Sequence, residues 1–135
     1  MIYGILDLEK MEFRFTRAGH NPLLIYRTQT GQIEELRAEG LGIGIRPAKE
    51  FDSYNRELTV SVQSGDLLVL YTDGIVEAMN AQSELYGEDA LKEKLIALNQ
   101  ESAREITARI FEDVEAFAGK EKQHDDMTMV VIRIP

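Results

Sequence analysis

The sequence predicts an α+β fold, with an antiparallel sheet system flanked by helices, and three features of its 135 residues lead there. The first half alternates apolar and polar residues with a period of two, as half-buried strands do. From Gly87 to Gly119 the apolar residues fall instead at helical spacing. A last apolar run, Met129 to Ile132, then restores the strand pattern. Many strands, two helices and a closing strand is an order that puts helices on an antiparallel sheet.

Taken in order, Met1 to Leu6 is apolar from the outset. Met11, Phe13 and Phe15 alternate with Glu12, Arg14 and Thr16 as a half-buried strand. Leu23 to Tyr26, after Asn21-Pro22, reads as another, and Thr30-Gly31 turns the chain into a hairpin partner at Ile33 to Arg37. Gly40 to Gly44 is a glycine-rich loop, and Pro47 is expected to exclude a helix nearby. Leu58, Val60 and Val62 mark a one-faced strand, followed by a turn at Ser64-Gly65-Asp66. Leu67 to Tyr71 is apolar on both faces, which predicts a central strand covered on both sides. Leu91, Leu95 and Leu98 share one helical face, with Glu88 and Asp89 near the positive end of the helix dipole. The next helix begins at Ser102, where Glu105 completes a capping box. Its stripe is Ile106, Ile110, Val114 and Phe117, and Gly119 ends it. Met129 to Ile132 is expected to be a buried strand.

The length suits one domain with its own core. With 44% hydrophobic and 29% charged residues the chain reads as globular rather than disordered. Its formal charge of −9, from 24 acids against 15 bases, argues against nucleic acid and anionic lipid as partners. The same charge fits a surface tuned for solubility, and it permits a basic partner or a metal ion. No apolar stretch is long enough for membrane insertion. MIYGILDLEKMEF lacks the basic start and small-residue cleavage site of a signal peptide. The absence of cysteine excludes disulfides and thiolate metal sites and fits a reducing cytoplasm.

Two acidic sites stand out. Asp73 follows the apolar strand Leu67 to Tyr71, and Asp125-Asp126 precedes the strand at Met129. If those strands are antiparallel neighbours, Asp73 and Asp125 meet at one edge of the sheet. Carboxylates that close repel unless one is protonated or a cation lies between them. Oxygen ligands without cysteine favour magnesium or manganese over zinc. The competing reading is that both acids merely cap turns or helices, as Asp and Gly commonly do. His20, among Gly19, Asn21 and Pro22, reads as a turn residue rather than a general acid. His124, beside Asp125, is either a solvated loop residue or a support for a metal ligand. Gly40 to Gly44 lacks the following helix that a dinucleotide loop needs.

TDGIVEAMN, YGEDAL and DDMTMVVIRI, with RAGHNPLLIYR and SGDLLVLYTDG before them, resemble the C-terminal half of a bacterial metal-dependent serine/threonine phosphatase. The resemblance is to the PPM (type 2C) class, in its SpoIIE/RsbU-like branch, and it runs through almost the whole chain. It implies a β-sandwich flanked by helices. It implies two Mn²⁺ or Mg²⁺ ions that activate a water for in-line attack on a phosphoserine or phosphothreonine, with no phosphoenzyme. On that resemblance Asp73 and Asp125 are metal ligands. Asp126 falls where relatives often have Asn and supports the site, and Gly74 lets backbone approach closely or makes the turn. Gly42 stands where the family usually has proline in a Pro-Leu-Gly turn. Glu77 matches the family pattern, either as a helix-start acid or as the beginning of a regulatory segment.

The chain also departs from the family pattern. An acidic motif of the form Asp-x-x-Gly-His-Gly, whose aspartate bridges both metals, has no match here. Residues 1–135 are therefore expected to be a single partial domain, truncated at its N-terminal side, with little or no activity alone. The implied partners are a phosphoserine or phosphothreonine protein, such as an anti-anti-sigma-type regulator, and an upstream sensor or receiver domain. The rival expectation is a non-enzymatic phosphatase-fold module that, with one sheet face uncovered, binds partners or forms a homodimer by strand pairing across an open edge.

Overall fold

In the computed structural model, residues 1–135 are described except Lys122 and His124, with backbone alone at Ala48, Lys49 and Asp52. The chain runs β1 (Ile2–Asp7), β2 (Glu12–Arg17), β3 (Leu23–Arg27), β4 (Gln32–Leu36) and α1 (Ala48–Tyr54). It continues through β5 (Leu58–Ser61), β6 (Leu67–Tyr71), α2 (Asp73–Val76), α3 (Gly87–Ala97), α4 (Ala103–Ala118) and β7 (Met129–Arg133). One sheet has the order β1-β2-β5 and the other β4-β3-β6-β7, with every pairing antiparallel.

The two sheets stack through the faces that the period-two pattern made apolar. Phe13 and Phe15 of β2 meet Leu23 and Ile25 of β3, Leu68 of β6 and Ile134 in one buried cluster. The opposite face of the four-stranded sheet presents Leu24, Tyr26, Leu67, Val69 and Tyr71 to the helices. Leu91 and Leu95 of α3 and Ile106, Ile110 and Val114 of α4 close that second core. The continuous apolar run of β6 follows directly: Leu68 serves one core while Leu67 and Val69 serve the other. The capping box forms as the sequence predicts, with Ser102 accepting from the Glu105 amide and Glu105 accepting from the Ser102 amide.

Two expectations need correction. Pro47 does not exclude a helix: α1, of seven residues, starts directly after it. Proline fixes a suitable φ and its missing N–H is not needed at a helix start, so it precedes helices as readily as it breaks them. The strand at Met129 is not fully buried. It is the edge of its sheet, and Val130 is 48% exposed. The Asp-Gly step after β6 opens the four-residue helix α2.

Asp66 is the buried acid of the cores, 2% exposed. Its carboxylate accepts from Arg27 Nη1 at 3.1 Å and from the amides of Thr28 and Gln63 at 3.0 and 3.1 Å. It thereby ties the end of β3 to the turn that launches β6. The outer face of the three-stranded sheet is uncovered, with Tyr3 at 62% and Ile5 at 44% exposure. Among the described residues no helix is long and apolar enough to cross a membrane.

Candidate functional site

The site grows out of the pairing of β6 with β7. Tyr71 lies opposite Met129, so the residues just after β6 face those just before β7. Thr72 extends the ladder beyond the strands. Its amide donates to the Thr128 carbonyl at 3.0 Å. Its hydroxyl accepts from the Thr128 amide at 2.9 Å and donates to the Asp126 carbonyl at 2.8 Å. Gly74 then passes so close to the other segment that a Cβ on it would lie 2.6 Å from the Asp126 carbonyl oxygen and 3.1 Å from that of Asp125. Only glycine fits there without displacing residues 125 and 126.

Asp73 and Asp125 are thus delivered to the same end of the four-stranded sheet, and both are exposed. One carboxylate oxygen of each is oriented by the next backbone amide: Gly74 N to Asp73 at 3.1 Å, and Asp126 N to Asp125 at 2.7 Å. Neither acid is in an ion pair among the described residues. Asp126 is held through its main-chain carbonyl, and its carboxylate is exposed. Among the described residues no group of three or more His, Cys, Asp or Glu side chains is arranged to hold a metal ion. His124 lies outside the described residues.

The same end carries the Gly19 to Pro22 turn, because Leu24 of β3 pairs with Val69 of β6 in the antiparallel sense. His20 is occupied locally, its Nδ1 lying 3.1 Å from the Asn21 carbonyl. Arg17 spans the turn, donating to the carbonyls of Ala38 and His20. Gly19, at φ +62°, packs against the glycine-rich loop at Gly42.

Beside Asp125 a groove of about 480 Å³ opens between α2, the segment from Ala78 to Tyr86, and the C-terminal half of α4. A bridge between Met79 and Leu85 shapes its lip. Tyr86 braces that lip: its hydroxyl donates to Asp113 at 2.8 Å and its ring meets Phe117 edge-on. Lys94 lowers Asp113 from the ordinary carboxylate value, with Tyr86 adding to the effect. Burial pushes the Tyr86 phenol up, as does its bond to Asp113. Burial likewise raises Tyr71, with the charges of Glu88 and Glu35 adding. The sequence singles out neither Thr72 nor the Tyr86–Asp113–Lys94 set, and it places Asp66 only in a turn. Thr72 adjoins a noticed acid, while the Arg27–Asp66 pair and the Tyr86–Asp113–Lys94 set join residues at least 19 positions apart.

Two stacked antiparallel sheets with helices across one outer face match solved PP2C phosphatase domains. The phosphatase domain of SpoIIE from Bacillus subtilis superposes with a TM-score of 0.73 at 27% identity, covering 99% of this chain and 56% of that one. The SiaA PP2C domain of Pseudomonas aeruginosa shares the fold at 20% identity, with a TM-score of 0.79 over 99% of this chain and 50% of that one. The family model of stage II sporulation protein E matches residues 1–135, and the chain belongs to that family. Phosphoserine phosphatase RsbU of B. subtilis (strain 168) is 28% identical over 134 residues, covering 98% of this chain. The chain spans 38% of the length of that relative. These homologues are named phosphatases, and the resemblance read from the motifs is a family relationship.

Proposed function

We propose that this chain is the C-terminal part of the catalytic domain of a Mn²⁺- or Mg²⁺-dependent protein serine/threonine phosphatase. The observation that carries the reading is the β6–β7 register, which brings Asp73 and Asp125 to one end of one sheet. The donor set suits such ions in kind, since carboxylate oxygens are the hard ligands they prefer. The close packing of Gly74 on residues 125 and 126 supports the fit, because it keeps the two acidic segments together. Asp73 and Asp125 would hold metal, and Gly74 and Asp126 would support them through backbone position. When bound, the ions would lower the pKa of a water and neutralise phosphoryl oxygens. The chain's own share is to place two carboxylates with one oxygen of each already oriented by an amide. Two ligands make a weak site, since affinity tracks ligand number and charge. These residues alone therefore turn over little or no substrate.

The substrate class is a phosphoserine or phosphothreonine protein in bacterial cytoplasmic signalling, such as a phosphorylated anti-anti-sigma-type regulator. An upstream sensor or receiver domain would control it. Support comes from RsbU, named a phosphoserine phosphatase. The test is Mn²⁺-dependent hydrolysis of a phosphoserine peptide by the full-length protein. Asp73→Ala and Asp125→Ala should each lower turnover on the order of 100-fold, the scale of losing one electrostatic stabiliser. Unchanged turnover in either variant refutes that residue's role.

One observation favours a second reading, a module that self-associates or binds partners. Tyr3 and Ile5 stand exposed on an uncovered sheet face. A homodimer through that face would appear by light scattering at micromolar concentration and vanish in a Tyr3→Ser, Ile5→Ser double variant. A monomer counts against it.

A further inference from the structure

The groove beside Asp125 has an apolar floor and acidic residues in its lining. Ala78, Met79, Leu85, Val114, Ala118 and Met127 supply the floor. Glu77, Glu115, Glu121 and Asp125 add carboxylates to the lining. Every ionisable side chain lining it among the described residues is a carboxylate. None of the four is in an ion pair among those residues. The volume falls within the usual range of ligand pockets, about 300–1,000 Å³. The lip is preformed: Tyr86 N donates to the Ala78 carbonyl at 2.8 Å and Asn80 N to that of Glu84 at 3.0 Å. Leu85 nonetheless stands 55% exposed. An apolar groove lined by acids that form no ion pair among the described residues complements one chemistry, an apolar side chain flanked by cations. A carboxylate-bearing occupant would meet like charge in the lining, and the four acids are not grouped to hold a metal ion.

We propose that this groove docks a short basic segment of the phosphoprotein substrate, seating one apolar side chain on the floor and Lys or Arg side chains against Glu77, Glu115 and Glu121. The identity of the bound protein as substrate rests on the phosphatase reading. Gly74 and Asp125 both line the groove, so a segment lying in it runs beside the sheet end that carries Asp73 and Asp125. The docking itself depends only on the groove.

The experiment measures fluorescence anisotropy of labelled ten-residue peptides with the 135-residue chain. One peptide has a central Leu between Lys and Arg, a second has Glu in place of each base, and a third has Ser in place of Leu. The basic Leu peptide should bind at least about tenfold tighter than either control, and more weakly as salt rises. A Glu115→Lys, Glu121→Lys double variant should weaken it about tenfold. Both positions are exposed, and Lys at 115 favours the C-terminal end of the α4 dipole, so the fold is not at risk. Glu112→Lys, outside the groove, should leave binding as it is. Equal binding of the three peptides, or binding undiminished by the double reversal, overturns the proposal. So does a dimer by light scattering that the double reversal dissolves, since the occupant is then a second copy. Hydrolysis of para-nitrophenyl phosphate by the full-length wild-type protein, which needs no docking, reads the phosphatase proposal separately.

Discussion

The hydroxyl of Thr72 holds the Asp126 carbonyl at 2.8 Å while accepting from the Thr128 amide at 2.9 Å, so one side chain fastens the segment after β6 to the segment before β7. Thr72→Val keeps the shape and the β-branch but removes both bonds. Water can reach this partly exposed position, so the cost lies near about 1 kcal/mol rather than that of two buried orphans. Urea unfolding of Thr72→Val should show a lower midpoint with an unchanged slope, and Thr72→Ser should recover most of the loss. An unmoved midpoint in the valine variant would mean the hydroxyl fastens nothing.

Gly74→Ala sets two effects against each other. Alanine favours a helix by about 1 kcal/mol over glycine, and Gly74 lies in α2. Its Cβ, however, would sit 2.6 Å from the Asp126 carbonyl oxygen, and that atom belongs to backbone rather than to a flexible side chain. Overpacking of this kind typically costs about 1–3 kcal/mol. The steric term wins, and residues 125 and 126 move outward. Full-length Gly74→Ala should be less stable and need more Mn²⁺ for half-maximal turnover. A variant as stable and as metal-responsive as wild type would remove Gly74 from any supporting role.

What was legible in the sequence follows the range of the interaction. Local patterns spoke clearly: the capping box of Ser102 and Glu105, the stripe Ile106, Ile110 and Val114, and the strand Leu67 to Tyr71 each depend on neighbours a few positions away. The placement of Asp73 and Asp125 at one end of the same sheet was readable only conditionally, because it required β6 and β7 to be partners, and their register supplies that condition. Pro47 misled because one residue type both breaks helices and precedes them. The groove was not legible at all. It joins Met79 and Leu85 to Val114 and Met127, and no spacing rule links three segments so far apart.

Asp66 predicts a larger stability effect than either site acid. It is 2% exposed and accepts from one guanidinium and two amides. Removing one partner of a buried charge pair costs about 3–5 kcal/mol. Arg27 is itself less deeply buried and keeps its 2.9 Å bridge to Glu34, so Asp66→Ala belongs at the lower end, about 3 kcal/mol. Asp66→Asn, which retains an acceptor for the amides, should lose less. A Tm or urea midpoint for Asp66→Ala within error of wild type would contradict the anchoring role.

The Tyr86–Asp113–Lys94 set predicts opposite pH flanks. Lys94 lowers the folded pKa of Asp113, so its contribution is present above the unfolded value of about 4 and is lost as pH falls through the folded value. Tyr86 is raised in the folded state. Its contribution is present below the unfolded value of about 10 and is lost as pH rises toward the folded value. The Asp113 side chain is 36% exposed, so screening by solvent leaves the acid term at roughly 0.5 kcal/mol. Lys94→Met should flatten the stability curve below about pH 4 and leave the alkaline flank alone. Tyr86→Phe should flatten the flank above about pH 10, because no phenol remains to ionise. Urea midpoints across both ranges check this. If the Lys94→Met curve runs parallel to wild type below pH 4, Lys94 is not the group that holds Asp113 ionised. The brace on the groove lip would then rest on the Tyr86 hydroxyl and its contact with Phe117.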